Sequence, residues 1–360
     1  MSSSVAKMMN QRRKKLEILD REFYLLRSIL GNDWALFFFL LGGREAGKSY
    51  SVTECYVRQW KKYGRPFYWL RLTEASQKKL LTNNAEKLVD PDIRRRYNLE
   101  LKTRGDSVYE IKRDEEGNII SKKLMARVLA LSTFYNDKGS GLFDKDFLDD
   151  PKMYYNICLD EMNREANEKK SFDIVYAFVN QIENLVRSTK QKLRIICIGN
   201  TLEEASDLLC AFNFIPEDFG RYKLKSKRAV IEYIAPSEKY VQRRKGTVAD
   251  ILMPTASTFT NKIETDTSLV YKGRLLKPLH IIKFSKCRED WFTIWVSSTI
   301  AQFYGENCHV IAMKPYIDEL FMTELRDNII TRFDNRGYQY KNLITFKKFQ
   351  TNLELLKPRK

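Results

Sequence analysis

Gly42-Gly43-Arg44-Glu45-Ala46-Gly47-Lys48-Ser49 fits the pattern G-x-x-x-x-G-K-[ST] at every fixed position. Glycines let a backbone wrap around phosphate oxygens and turn its N–H groups inward. A helix that opens on such a loop adds the positive end of its dipole. The flanks suit this reading. Trp34 to Leu41 (WALFFFLL) is an unbroken apolar run, as a strand buried on both faces requires. Residues 48–62 read as a helix, stopped by Tyr63-Gly64-Arg65-Pro66. The loop, with Tyr50 after it, is thus an expected ATP site. Lys48 is expected on the β- and γ-phosphates and Ser49 on Mg²⁺.

A nucleotide-hydrolysing site of this kind also needs acids. Tyr154 to Glu161 (YYNICLDE) is an apolar strand ending in two carboxylates. Asp160 is the expected Mg²⁺ ligand and Glu161 the expected general base for the attacking water. Leu193 to Asn200 (LRIICIGN) is a further strand, and Asn200 at its end is the expected sensor of the γ-phosphate. Arg187 closes the amphipathic helix before that strand. Its guanidinium could act in a neighbouring subunit's site or complement its own helix dipole. Arg71, ending the strand Phe67 to Leu72 (FYWLRL), is a weaker candidate for nucleotide or inter-strand work.

Strands alternating with helices imply right-handed crossovers and a parallel sheet flanked by helices. The expected class is an α/β P-loop NTPase of the additional-strand, catalytic-glutamate type. The expected division has four parts: a basic tip and amphipathic helix (1–33), the nucleotide domain (34–215), a basic linker (216–235), and a smaller α+β domain (236–360). In the tip, Leu16, Leu19, Phe23, Leu26 and Leu30 form one apolar helical stripe. Asp114-Glu115-Glu116-Gly117-Asn118 reads as a hairpin turn.

Bulk composition narrows the partners. With 63 Lys+Arg against 46 Asp+Glu, the net charge is +17, which attracts polyanions, nucleic acid above all. Arg221, Lys223, Lys225 and Arg228 are the densest basic patch, readable as a phosphate-binding surface or as a solvated linker. No apolar run is long enough to span a membrane, so no membrane partner is expected. The six cysteines form no CxxC pair, which suits reduced, buried thiols.

Four runs together carry a resemblance: GGREAGKSY, KKYGRPFYWLRL, ICLDE and NLVRSTKQKLRIICIGN. They resemble the DNA-packaging (encapsidation) ATPases of small tailed phages of the phi-29 type, over roughly residues 34–350. Arg332 to Phe349 (RFDNRGYQYKNLITFKKF) is similar to that family's end. The resemblance implies a homo-oligomeric ring motor, generally a pentamer, in the host cytoplasm and transiently at the prohead portal (connector) vertex. It implies ATP-driven movement of double-stranded DNA, while the participation of a packaging RNA stays open on the sequence. It assigns Lys48 and Ser49 to the phosphate loop, Asp160 and Glu161 to metal and catalysis, and Arg187 to a trans-acting finger. Lys138 matches a basic loop residue that reaches across the subunit interface. The C-terminal domain is implied to resemble a ribonuclease-H-like nuclease without its metal-binding carboxylates. Two other functions stay open on the residues alone: a large terminase with an active C-terminal nuclease, and a nucleotide-gated nucleic-acid-binding protein without motor activity.

Overall fold

The structure, a computed structural model, is described for residues 23–138, 154–163, 172–186, 192–200, 206–216, 218–252, 269–271, 273–275, 277–283, 291–296, 309–313, 322–323, 326–335 and 337–356. Two compact units divide the chain. The first joins Met1–Glu203 with Pro216–Ile263, and the second joins Glu204–Ile215 with Glu264–Lys360.

In the first unit the described strands are β1 (Phe37–Leu41), β2 (Phe67–Arg71), β3 (Leu101–Arg104), β4 (Ser107–Arg113), β5 (Ile119–Ala130), β6 (Tyr154–Asp160), β7 (Lys192–Gly199), β8 (Gly220–Leu224) and β9 (Ala229–Tyr233). They form one sheet in the order β3-β4-β5-β2-β6-β7-β1-β9-β8. From β5 to β9 every pairing is parallel. Antiparallel hairpins extend both rims, β3-β4-β5 on one side and β9-β8 on the other. The parallel centre is apolar on both faces, because helices cover both. Phe39, Leu40 and Leu41 of β1 are fully buried, and Phe39 lies in register with Cys197 and Ile231.

The described helices of this unit are α1 (Arg27–Leu30), α2 (Lys48–Tyr63), α3 (Glu74–Ala85), α4 (Pro91–Tyr97), α5 (Ile174–Val186), α7 (Glu238–Arg244) and α8 (Val248–Leu252), while α6 (Asp207–Ala211) belongs to the second unit. Gly47 and Gly64 bound α2 in left-handed conformations, where a side chain would be strained. Val52, Tyr56, Val57 and Trp60 bury its inner face. Two polar tips on that face still find partners, Tyr56 Oη on the carbonyl of Ile157 (3.0 Å) and Trp60 Nε1 on that of Leu124 (2.8 Å). The last turn of α3 is not helical: Asn83, Asn84 and Ala85 have φ of 49°, 55° and 63°.

The second unit holds a five-stranded sheet of β10 (Lys277–Lys283), β11 (Trp291–Val296), β12 (His309–Met313), β13 (Met322–Thr323) and β14 (Tyr338–Tyr340), in the order β13-β10-β11-β12-β14. Helices α9 (Arg326–Asp334) and α10 (Leu343–Leu356) complete it. Its core centres on Phe349, whose ring stands edge-on to Phe292 at 5.3 Å and to Tyr338 at 5.8 Å. α6 packs against α10 within this unit.

The expected boundaries and the structure differ in three places. Residues 216–235 do not fold as a linker. They supply β8 and β9, and β9 pairs with β1 itself. The basic side chains alternate along an edge strand and its turn, so they read as charge, while the buried run Ala229-Val230-Ile231 beside them went unread. Residues 204–215 belong to the second unit rather than the first, and residues 236–263 to the first rather than the second. Among the described residues no helix is long and apolar enough to cross a membrane.

If β9 is core, Ile231→Ala, fully buried, should lower the unfolding free energy by about 2–5 kcal/mol. Urea denaturation of the full chain measures this, and a change within about 0.5 kcal/mol would fit a linker instead.

Candidate nucleotide site

Parallel strands all present their C-terminal ends to one side, and crossover loops there make a crevice. β1, β2, β6 and β7 end together in this way. The loop after β1 folds back so that Lys48 Nζ donates to the carbonyls of Gly42 (2.8 Å) and Gly43 (2.6 Å). Glu45 (φ 63°) and Gly47 (φ 82°) make the left-handed turns. A Cβ on Gly47 would come within 3.0 Å of Phe23, so close packing as well as φ demands glycine there.

The outer side of the loop is held by segments that motif reading does not predict. Tyr240 Oη, on α7, donates to the Arg44 carbonyl at 2.8 Å, and Arg243 donates to the Glu45 carbonyl at 2.9 Å. Arg244 reaches both the Arg44 carbonyl (3.4 Å) and Tyr240 Oη (3.0 Å). The backbone N–H of Tyr24 takes the Ala46 carbonyl at 2.8 Å. With three successive carbonyls engaged outside, the loop's conformation is set before any anion arrives. Arg243 also lies 4.6 Å over the Phe23 ring, so the N-terminal segment and α7 form one outer wall. The only sequence signal for this wall is the pair of aromatics Phe23-Tyr24 and the Tyr240–Arg244 helix, neither of which matches a motif.

The loop lines a cavity of about 320 Å³ together with Tyr50, Arg71, Lys87, Asp160, Glu161, Ile198 and Asn200. Ser49 Oγ donates to Asp160 Oδ1 at 3.2 Å. Arg71 lies between the two acids, 3.2 Å from Asp160 and in direct contact with Glu161. Burial pushes the Asp160 carboxyl up, and Arg71 and the Ser49 hydroxyl pull the other way. Burial pulls the Lys48 ammonium down to about 8, against a smaller opposing pull from Asp160. Tyr50 lines the cavity, but its hydroxyl is committed to Asp92 at 2.5 Å. Burial and that bond push the phenol up to about 12.

The residues fit a metal-bound nucleotide. Ser49 and Asp160 bring a hydroxyl and a carboxylate together, the hard oxygen donors that suit Mg²⁺. Arg71 Nε is buried with no hydrogen-bond partner among the described residues, an atom that an anion would satisfy.

Of the expected site residues, the structure gathers Glu45 to Tyr50, Asp160, Glu161 and Asn200 around one cavity. Lys138 is exposed just after Asp137, which accepts from Gln181 on α5 at 2.9 Å. Arg187 lies outside the described residues. Arg221 is paired with Glu232 at 3.0 Å, whereas Lys223, Lys225 and Arg228 are exposed on β8 and its turn, away from the cavity lining. Arg71 proves central rather than peripheral, and Lys87 lines the cavity without having been expected there.

Sheet order, loop and paired acids define a P-loop nucleotide-binding protein. More particularly, the chain belongs to the podovirus DNA encapsidation protein (Gp16) family, whose model matches residues 19–349. The fold is similar to that in the bacteriophage phi-29 viral genome packaging motor assembly (TM-score 0.60, 19% identity, covering 93% of this chain and 99% of that one). It is also similar to the phi-28 gp11 DNA packaging motor (TM-score 0.58, 14% identity, 94% and 100%). The crystal structure of the N-terminal domain of the phi29 DNA packaging ATPase matches 60% of this chain and 97% of its own at 24% identity, with a TM-score of 0.44. No curated protein sequence matches the chain.

Two outcomes follow from this geometry. Phosphate needs the ammonium form of Lys48, whose folded value lies below the 10.5 of a free lysine. Affinity for ADP should therefore fall as pH rises through about 8, by about tenfold per unit beyond it, as a titration from pH 7 to 9.5 would read. The Lys48→Ala variant should bind weakly with no such slope. Tyr240→Phe should weaken ADP and ATP alike by about fivefold, the worth of one hydrogen bond, with a melting temperature lowered by only about 2–4 °C.

Proposed function

We propose that this chain is an ATP-hydrolysing subunit of a motor that moves double-stranded DNA into a phage prohead. The observation that carries the reading is the meeting of Lys48, Ser49, Asp160 and Glu161 around one cavity at the ends of parallel strands. Lys48 and the loop N–H groups bind the phosphates, and Ser49 and Asp160 hold Mg²⁺. When bound, Mg²⁺ neutralises charge on the β- and γ-phosphate oxygens. Glu161 takes the proton of the attacking water. In the present arrangement Glu161 is held by Arg71, so its carboxylate faces the guanidinium rather than an attacking water. Turnover therefore requires Arg71 to release Glu161, and a phosphate group beside the Arg71 guanidinium would compete for it. Asn200 senses the γ-phosphate.

Family membership and the match to assembled packaging motors support a ring. The finer proposal is a homopentamer on the portal, with a packaging RNA, in the host cytoplasm. There Arg187 of one subunit completes the next subunit's site, and Lys138 lies at the same junction. Lys223, Lys225 and Arg228 are exposed on an edge strand and its turn and suit contact with DNA phosphates. The second domain is proposed as ribonuclease-H-like without nuclease chemistry. Its three consecutive antiparallel strands with a fourth, β13, parallel to the first support that reading.

The deciding measurement is DNA-stimulated ATP hydrolysis. Glu161→Gln should still bind ATP while turnover drops about 10²- to 10⁴-fold. Undiminished turnover in that variant, or in Lys48→Ala, would remove the proposed mechanism.

A further inference from the structure

Lys87 stands on the segment between α3 and α4, and no motif points to it. Three cationic side chains line the nucleotide cavity: Lys48, Arg71 and Lys87. Two are committed, Lys48 to the Gly42 and Gly43 carbonyls and Arg71 to Asp160 and Glu161. Among the described residues Lys87 has no hydrogen-bond or ion-pair partner. The three cations are matched by three acids, Glu45, Asp160 and Glu161, so the lining is formally neutral. A nucleoside triphosphate with its Mg²⁺ still carries about two negative charges into that space. An uncommitted cation on the wall is where the excess goes.

The backbone holds Lys87 in place at a local cost. Asn83, Asn84 and Ala85 are three consecutive left-handed residues, a conformation that L-residues normally adopt singly. Strain of this kind persists only where surrounding contacts over-determine it, and it gathers at functional sites. Here Arg94 donates to the Asn84 carbonyl at 2.8 Å and to the Val89 carbonyl at 2.9 Å. Ala85, Leu88 and Val89 are all buried in the core around α2. Lys87 is thus an exposed residue whose neighbours are anchored on both sides.

Position indicates which phosphate it meets. α3 packs against β2 and β5, and β2 is the neighbour of β6, which carries the two acids. α4, just after Lys87, is tied to the first turn of α2 by the Tyr50–Asp92 bond. Lys87 thus lines the same cavity as Arg71 and the two acids, where the terminal phosphate of a nucleotide held by the P-loop would lie.

We propose that Lys87 is a γ-phosphate-binding residue acting within its own subunit, and that it makes the site prefer a nucleoside triphosphate over a diphosphate. The inference rests on the P-loop reading above and adds a specificity role to it. Calorimetric titration of the full-length protein with ATPγS and with ADP, both with Mg²⁺, separates the two. Lys87→Ala should weaken ATPγS about 10- to 100-fold, the worth of one charge-assisted hydrogen bond, while ADP affinity stays within about twofold. Lys87→Arg should keep most of the preference. Lys48→Ala should lose both nucleotides, which marks the P-loop reading as sound. Equal losses for ATPγS and ADP in Lys87→Ala, or no loss for either, would overturn the proposal while leaving that reading intact. A wild-type protein that binds neither nucleotide would remove both.

Discussion

A carboxylate taken almost wholly out of water must either take up a proton or keep a cation beside it, and Asp160 keeps Arg71. The guanidinium itself can be buried only because two carboxylates share it. Neither group could have been placed alone. Strands β2 and β6 must be neighbours and must end level, so that Arg71 and Asp160 meet. The Ser49 hydroxyl joins the same group, which fixes where α2 begins relative to β6. Central sheet order, strand length and helix start thus all answer to one small cluster of charges in a poorly solvated crevice. The cost of that cluster is offset by burial elsewhere, in the apolar faces of β1, β2 and β7.

A second constraint comes from the loop. A backbone that turns its N–H groups inward must turn carbonyls outward, and those carbonyls need partners. Here α7 and Tyr24 provide them. The phosphate loop is therefore gripped from behind by two segments distant in sequence, one near the start of the described chain and one after the sheet is complete. Changes in the loop are carried to α7 through hydrogen bonds rather than through loose packing. The helix lies just before α8, after which the chain runs on to its second unit.

Much of this was legible from residue pattern. WALFFFLL, FYWLRL, YYNICL and LRIICI each contain a central strand, because burial on both faces leaves an unbroken apolar run that needs no partner to be read. The hairpin turn at Asp114–Asn118 is also present, with the Asp114 N–H on the Asn118 carbonyl at 3.0 Å. The cysteines Cys55, Cys158, Cys197 and Cys210 are free and buried. What pattern could not give was pairing between distant segments. β9 was hidden because Arg221 to Arg228 dominate their neighbourhood by charge, and an edge hairpin with exposed lysines looks like a solvated linker. Arg71 was visible only as a strand-end arginine until β6 came beside it. Lys87 could not be found at all, since its place depends on a backbone conformation that Asn-Asn-Ala does not announce.

The order in which the two units share the chain has a consequence for synthesis. Residues 204–215 belong to the second unit, yet they leave the ribosome before β8 and β9 of the first. Until residue 233 is made, β1 is an unclosed edge with an apolar side, the kind of surface on which nascent chains stick to one another. Over the same interval Leu208, Leu209 and Cys210, buried in the finished protein, wait for α10, which is translated well after them. The growing polypeptide thus exposes two sticky segments at once, and they are sealed at different times, the nucleotide sheet first and the α6 turn only once α10 has followed.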